Sequence, residues 1–265
     1  MPSKTPSLRV REAVVFALPL ASLIVIWQLV ASLDLIRILP FPADVGRTLV
    51  NLCRPTRGGT PILLAHLGAS LFRVGIGFSL AMAVGVPVGL LMGINKHVND
   101  LLHPVLSLLM PVPTLAWVPM LLILWGLGDR TIVAAIFLGG FFSIAYNTAG
   151  GVRGIDRDLI RAAYTMGASK WTLFSRVLLP GSMVSVLTGL RLAVGYSWRA
   201  LVGAEMLAAA GWGLGYLVFA ARAFSAANVM FAGLIVIMVA GYLMERYLVG
   251  PLEKRTVQRW GVVRA

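Results

Sequence analysis

The chain has 265 residues, of which 58% are hydrophobic and 12% are charged, and its formal net charge is +13. A soluble domain carries about 25% charged residues, so this chain has too few polar side chains to cover a water-soluble globule. The composition excludes the ordinary soluble class and favours a membrane protein. Positive charge indicates nucleic-acid binding only where basic residues share a solvated patch. Here they flank hydrophobic segments, so no nucleic-acid partner is expected.

Five long stretches of the chain contain no Asp, Glu, Lys or Arg. They are Val14–Leu33, Val74–Ile94, Leu101–Gly128, Thr131–Val152 and Ala223–Met244. A helix needs about 20 apolar residues to cross the hydrocarbon core, and each stretch is long enough. Val177–Ala210 is a sixth candidate, although it contains charged residues. We therefore expect an all-α, polytopic membrane helix bundle with about six transmembrane helices, occupying residues 14–250.

Basic residues indicate the orientation of this bundle, because cytoplasmic loops collect Lys and Arg. With a cytoplasmic N-terminus, the inner side holds a tail over residues 1–13, the loop 153–176 and a basic tail over residues 251–265. This side carries most of the Lys and Arg residues. The sequence therefore predicts that both termini are cytoplasmic. The first stretch lacks a small-residue cleavage site after it, so we interpret it as a retained span.

Small residues recur at every fourth position along the second span, which is predicted to start near Ile62. They are Gly77, Ala81, Gly85, Gly89 and Gly93. This spacing places small side chains on one helical face, which lets another helix approach closely in lipid. The approaching helix belongs either to the same bundle, as ordinary packing, or to a second subunit.

The third span is interrupted by prolines. They are Pro104, Pro111, Pro113 and Pro119. Each removes a backbone donor and opposes regular helix, and broken helix at membrane depth is tolerated only beside protein or a water-filled cavity. Residues 110–119 are therefore a candidate pathway wall, with Pro111, Pro113 and Trp117 as its candidate residues. The alternative is a kinked helix that only packs, because prolines are common in membrane helices.

Three charged residues, Arg191, Arg199 and Glu205, fall within the fifth span. A charge at the bilayer centre costs roughly 2.5–3.5 kcal/mol on insertion scales, so we expect these side chains to face the bundle interior, water or one another. The two guanidiniums are candidates to bind an anionic sulfonate, because they present forked donors to oxyanions. The alternatives are an internal pair between Glu205 and an arginine, or arginines that snorkel to an interface.

The polar insert over residues 153–176 separates the fourth and fifth spans. Asp156 favours a helix N-terminus, the following residues are good helix formers, and Gly167 is a natural C-terminal stop. Lys170–Val177 then reads as a second helix entering the membrane. We interpret the insert as an elbow at the cytoplasmic surface, suited to docking a partner. The alternative is a loop helix without a partner.

A spaced motif runs through this elbow: Arg161-Ala162-Ala163, then Gly167, then Val177, and Leu179-Pro180. It resembles the signature of the inner-membrane permeases of binding-protein-dependent ABC importers. That signature is Glu-Ala-Ala, three residues, Gly, nine residues, Ile, any residue and Leu-Pro. Every spacing is kept, with Arg161 in place of the glutamate and Val177 in place of the isoleucine.

Four further segments resemble the nitrate/sulfonate/taurine/bicarbonate branch of that family. They are Met110–Pro119, Leu187–Arg191, Val202–Met206 and Gly213–Tyr216. The nearest resemblance is to the taurine and alkanesulfonate permeases. Related nitrate and pyrimidine-precursor permeases share much of the pattern.

The resemblance implies a type I ABC importer permease in a bacterial inner membrane, in contact with membrane lipid. A second copy, two cytoplasmic ABC ATPase subunits holding ATP and Mg, and a periplasmic solute-binding protein would be its partners. The solute would be taurine or another organosulfonate, with nitrate, bicarbonate or a pyrimidine precursor as alternatives. The elbow would be the helix that couples the permease to the ATPase, through Arg161, Ala162, Ala163, Gly167 and Ala168.

The chain itself is not expected to be an enzyme. A P-loop needs Gly-Lys before Ser or Thr, and none of the four lysines follows a glycine. The histidines and the single cysteine, Cys53, show no metal-ligand spacing, so we expect neither a metal site nor a cofactor in this chain. Two rivals from other classes are an intramembrane enzyme and a proton-coupled secondary transporter, each using Glu205.

Overall fold

The computed structural model describes residues 6–33, 38–55 and 59–249, and it leaves out the side chains of residues 6–17, 20, 248 and 249. All regular secondary structure within these ranges is helical, which confirms the all-α fold. The predicted tail over residues 251–265 lies outside the described ranges, as do residues 1–5 of the N-terminal tail.

Eleven α-helices are present in the described part of the chain. They are α1 (Pro6–Ser32), α2 (Pro42–Leu52), α3 (Ile62–Ile94), α4 (Lys96–Leu109), α5 (Thr114–Trp125), α6 (Asp129–Arg153), α7 (Arg157–Thr165), α8 (Lys170–Leu173), α9 (Leu179–Ala208), α10 (Leu214–Ala223) and α11 (Ala227–Met244). Two π-helical turns, Phe174–Leu178 and Glu245–Val249, continue α8 into α9 and extend α11.

Four helical segments are long and apolar enough to cross a membrane: α3, α6, Lys170–Ala208 and Ala227–Tyr247. The pair α4 and α5 makes a fifth crossing if it counts as one span. The polytopic helix bundle is thereby confirmed. Helix α1 is 27 residues long and occupies the place of the first predicted span, and Ala21–Ser32 is the apolar part of it whose side chains the structure describes. A total of six crossings therefore stays a prediction.

The third span is bent rather than straight. Helix α4 ends at Leu109, helix α5 begins at Thr114, and the two axes differ by 98°. Pro113 precedes α5 in an extended conformation, with φ −56° and ψ 130°. Pro111 and Pro113 have no backbone N–H with which to continue the hydrogen bonds of α4, so they end one helix, and α5 starts after the extended Pro113. The prolines predict the break, but not its angle.

The fifth span begins at Lys170, earlier than the predicted Val177. The π-helical turn Phe174–Leu178 joins α8 to α9, and Pro180 lies just after it. Proline cannot donate to the preceding turn and its ring crowds that turn's carbonyl. A wider π turn provides the extra room, so the helix continues through the elbow exit without a break.

Helix α6 is the centre of the bundle, with α3 on one side and α9 on the other. The small-residue face of α3 is turned towards α6. A Cβ atom added to Gly77 would lie 2.6 Å from the Ile136 Cβ, and one added to Gly85 would lie 3.0 Å from the Ile144 Cβ. Gly89 and Gly93 meet α6 in the same way, and Ala81 is fully buried. The helix that approaches this face therefore belongs to the same chain.

Candidate functional site

The elbow between α6 and α9 turns at Gly167. Gly167 has a φ of +80°, a left-handed conformation that favours glycine because it lacks a Cβ. The turn is closed by backbone hydrogen bonds: Met166 N donates to Ala162 O and Ala168 N donates to Ala163 O, both at 3.0 Å. The two alanines and the glycine of the family motif thus form one helix end and its corner.

Both elbow helices are capped by their own neighbours in the sequence. The Asp156 carboxylate accepts a hydrogen bond from Asp158 N at 2.9 Å, and Ser169 Oγ accepts one from Thr172 N at 3.2 Å. Arg161 donates to the Asp158 carboxylate at 3.2 Å in an exposed ion pair. Helix α7 buries no residue. The elbow is therefore shaped by local sequence rather than by packing on the bundle.

Large apolar side chains project from this polar elbow. They are Leu159, Tyr164, Met166 and Trp171, with Met166 87% and Trp171 72% exposed. Met and aromatic side chains are enriched at the centres of protein interfaces. The elbow thus presents apolar surface on a corner whose backbone is fixed by its own hydrogen bonds.

A cavity of about 340 Å³ lies beside the break between α4 and α5. Its lining brings together four residues singled out in the sequence: Pro111, Pro113, Trp117 and Arg199. The opposite wall comes from α6, at Leu138–Ser143, near the midpoint of that helix. At about 1.5 Å of rise per residue, this wall is roughly 14 to 21 Å from the start of α6 and roughly 15 to 22 Å from its end. The cavity is therefore at mid-depth in the bundle.

Arg199 lies on the cavity wall contributed by α9. Its guanidinium carbon is 5.8 Å from the centre of the Tyr196 ring, and both residues line the cavity. Among the described residues, no carboxylate lies within ion-pair distance of Arg199. Arg191 is also exposed on α9 but is absent from the cavity lining. The structure thus separates the two arginines that the sequence left together.

Glu205 is fully buried near the end of α9, away from the cavity lining. Its carboxylate accepts hydrogen bonds from Arg73 Nη1 at 2.8 Å, from Ser70 Oγ at 2.9 Å and from Gly215 N at 2.9 Å. The internal pair left open by the sequence is therefore present. Its arginine is Arg73 on α3, and neither Arg191 nor Arg199 takes part.

Further bonds extend this pair into a network of five side chains: His66, Ser70, Arg73, Asp129 and Glu205. Arg73 Nε donates to the Asp129 carboxylate at 2.8 Å and Arg73 Nη1 donates to Trp212 O at 2.6 Å. Gly213 N donates to His66 Nδ1 at 3.0 Å, and Leu214 N donates to Ser70 Oγ at 2.9 Å. The Glu205 network ties together α3, α6, α9 and the start of α10.

Glycines 213 and 215 allow the chain to pass close to this network. A Cβ atom on Gly213 would lie 2.5 Å from the Glu205 carboxylate carbon, and Gly213 has a φ of +140°. A Cβ atom on Gly215 would clash with the Val202 carbonyl oxygen. The glycines fit a tight corner between α9 and α10.

Sequence reasoning missed Arg73, although a signal for it was present. His66, Ser70 and Arg73 are spaced four and three apart within a mostly apolar helix, so they share one face. Such a polar stripe in a membrane span needs partners inside the bundle. An ion-pair partner for Glu205 could have been sought there.

Comparison with known proteins places these features in a family. Residues 85–256 match the model of the binding-protein-dependent transport system inner membrane component. The chain is 38% identical to the taurine transport system permease protein TauC of Escherichia coli, over 85% of this chain and 82% of that protein. It is 33% identical to the bicarbonate transport system permease protein CmpB of Synechococcus elongatus, over 92% of this chain and 88% of that protein.

A solved structure shares the fold. The chain resembles the MetNI methionine ABC transporter in an inward-facing conformation, with a TM-score of 0.56 and 22% identity, over 72% of this chain and 95% of that chain. The all-helical bundle is thus that of a type I ABC importer permease. From the match over residues 85–256 and the two relatives, we conclude that this chain belongs to the binding-protein-dependent transport system inner membrane component family.

Proposed function

We propose that this chain carries a small solute, taurine or another organosulfonate, through the membrane part of an ABC importer. The observation that carries the proposal is the elbow. It is a self-capped corner between two membrane-crossing helices, with Met166 and Trp171 largely exposed on it. A separate protein can bind such a corner and displace it without unfolding the bundle.

The proposed partners are two cytoplasmic ATPase subunits, a second copy of this chain and a periplasmic solute-binding protein. ATP and Mg would be held by the ATPase subunits. Closure of the ATPases on ATP would displace the elbow, through Arg161, Ala162, Ala163, Gly167 and Ala168. The permease would do no chemistry. It would alternate between two packings whose relative stability is set by nucleotide on one side and by the binding protein on the other.

This proposal fixes the orientation. The elbow lies on the cytoplasmic side of the inner membrane, together with both termini, and the Glu205 network lies on the periplasmic side. Helix α6 runs between these two sides, and the mid-depth cavity is between them. The cavity is thus suited to hold solute when neither side is open.

The choice of solute rests on the similarity to the taurine permease TauC. Similarity to the bicarbonate permease CmpB keeps bicarbonate as an alternative, with nitrate or a pyrimidine precursor beside it. The geometry does not favour an intramembrane enzyme or proton-coupled transport through Glu205. That carboxylate is fully buried and engaged by Arg73, Ser70 and Gly215.

The test is uptake of radiolabelled taurine into vesicles that contain the chain co-purified with its ATPase, with the binding protein supplied on the outer face. We expect uptake with ATP and magnesium inside, and none with a non-hydrolysable nucleotide. Uptake by the chain alone, or uptake driven by a proton gradient after ATP is depleted, would contradict the proposal.

A further inference from the structure

The cavity beside the α4–α5 break carries one positive charge, and the described residues that line the cavity include no balancing carboxylate. Arg199 lines this cavity at mid-depth, and its guanidinium approaches the Tyr196 ring. Within the ranges 6–33, 38–55 and 59–249, every ion pair that has been identified joins other residues. A charge in such a place is stabilised by water or by a bound anion.

Arg73 is an arginine of this bundle whose partners all lie within the fold. It is buried, it binds two carboxylates and a backbone carbonyl, and its donors are directed at partners within the fold. Arg199 has an aromatic face beside it and open space in front of it. The contrast indicates that the Arg199 donors are kept for something that enters the cavity.

The rest of the lining restricts what can enter. The cavity volume of about 340 Å³ is near the lower end of the range for ligand pockets, about 300–1,000 Å³. Most of the wall is apolar, with Trp117, Leu138 and Phe142 among its residues. Ser143 is near Gly189 O at 3.5 Å, so its hydroxyl already has an acceptor. The site therefore combines a single cation with a small, mostly apolar chamber.

We propose that Arg199 is the anion-binding residue of this cavity and selects a small monoanion with an oxyanion head and a short apolar tail. Among organosulfonates, an alkanesulfonate then fits better than zwitterionic taurine, because the cavity lining supplies no carboxylate for the taurine ammonium. The proposal deepens the proposed function and rests on it. The guanidinium fork matches two oxygens of a sulfonate or carboxylate head. The tail then lies against the apolar wall formed by α5 and α6. A dianion would bring a second charge for which the cavity lining supplies no cation, because Arg191 is not part of that lining.

The test is equilibrium binding of radiolabelled ethanesulfonate to the permease–ATPase complex in nanodiscs, without nucleotide and without binding protein. Unlabelled sulfate and dimethyl sulfone serve as dianionic and neutral competitors. We expect ethanesulfonate to bind, and both competitors to be at least tenfold weaker. R199Q should weaken binding about 10–100-fold, as expected for loss of a charge-assisted hydrogen-bond pair. R199K keeps the charge but lacks the planar fork, so its binding should fall between that of R199Q and that of the wild type.

The matched control is R222Q, which removes another exposed arginine outside the cavity lining and should leave binding unchanged. The proposal is overturned if wild type binds no ethanesulfonate, if R199Q binds as wild type does, if R199K and R199Q are equally weak, or if dimethyl sulfone competes equally well. Binding that depends on Arg199 without ATP-driven uptake would instead reject the importer proposal. Unchanged uptake by R199Q would reject the anion site and leave the importer standing.

Discussion

Two regions of this bundle each contain an arginine, one with acidic neighbours and one beside an aromatic ring. The two arginines differ in how many of their donors bind partners within the chain. In the Glu205 network, Arg73 is 9% exposed and bonds two carboxylates and a carbonyl, while Glu205 is fully buried. In the cavity at mid-depth, Arg199 is exposed and has the Tyr196 ring as its neighbour. The first arrangement is complete within the chain. In the second, the Arg199 guanidinium lines the open cavity beside the α4–α5 break.

The difference separates a charge that is paired within the fold from a charge that lines a cavity. A buried ion pair is sensitive to loss of either partner, because the remaining charge is then uncompensated. Removing an arginine on a cavity wall leaves no buried carboxylate without its partner. Removing Arg73 or Glu205 should therefore change stability, and removing Arg199 should change solute binding with little effect on stability.

The largest expected effect is that of E205Q, which removes the negative charge from the network and keeps its shape. Breaking a buried pair by removing one partner costs about 3–5 kcal/mol, so the purified protein should unfold at a clearly lower temperature. D129N is the matched control, because Asp129 is the other carboxylate on Arg73 but is 61% exposed. Exposed pairs contribute about 0–1 kcal/mol. Equal destabilisation by both variants would contradict the distinction drawn here.

An intermediate effect is expected at Gly215. The variant G215A places a methyl group on the Val202 carbonyl oxygen and near the Glu205 Cβ, so backbone must shift. Overpacking of this kind costs about 1–3 kcal/mol. In G195A the added Cβ meets nothing within 4 Å, and helix propensity favours alanine by up to about 1 kcal/mol. Thermal unfolding of the two variants should therefore move in opposite directions. A stable G215A would mean that the α9–α10 corner is not held tightly.

The elbow offers a change whose effect falls on assembly rather than on the bundle. In G167A the left-handed corner costs roughly 1–2 kcal/mol more than with glycine. Because α7 buries no residue, the melting temperature of the bundle should change little. Co-purification of the ATPase should weaken about five- to thirtyfold by the same free energy. G150A, whose added Cβ meets nothing within 4 Å, is the control. Unweakened association in G167A would show that the corner geometry is not what the ATPase binds.

The smallest effect is expected for R161A. Arg161 pairs only with Asp158 in an exposed i,i+3 contact at 3.2 Å. Such a pair stabilises by about 0–1 kcal/mol, so the stability measured by chemical or thermal unfolding should change by no more than that. A larger loss of ATPase association than of stability would assign Arg161 to the interface. A larger loss of stability would show that the elbow is packed more tightly than its exposure indicates.

Much of the fold could be predicted from local signals. The uncharged stretch Thr131–Val152 predicted α6 to within two residues at each end, since a span needs only length and apolarity. The stretch Val74–Ile94 matched the end of α3 but not its start at Ile62, because Arg73 interrupts the apolar sequence.

Gly167 gave the elbow corner, because its left-handed turn is a property of one residue. Pro111 and Pro113 predicted the break in the third span. Its 98° bend depends on what α4 and α5 pack against, which no local pattern encodes.

The charge network and the cavity needed the structure. Glu205 and Arg73 lie on helices far apart in sequence, so their pairing depends on how α3 and α9 meet. The same holds for Arg191 and Arg199, which are about two turns apart on one helix, although only Arg199 lines the cavity. Helical spacing could identify the polar stripe of α3, but it could not say which charge would meet it.

The central claim is that an ATP-driven partner binds the elbow. It can be tested by site-directed cross-linking in the assembled transporter. Cys53 is exposed, so a C53S background is suitable for single new cysteines carrying a photo-cross-linker. One cysteine replaces Met166 on the elbow, and a matched one replaces Phe224, which is 83% exposed just after α10, the helix that starts at the Glu205 network. The account predicts an ATPase adduct at 166, with a yield that changes with nucleotide, and none at 224. An adduct at 224 with none at 166 would contradict it.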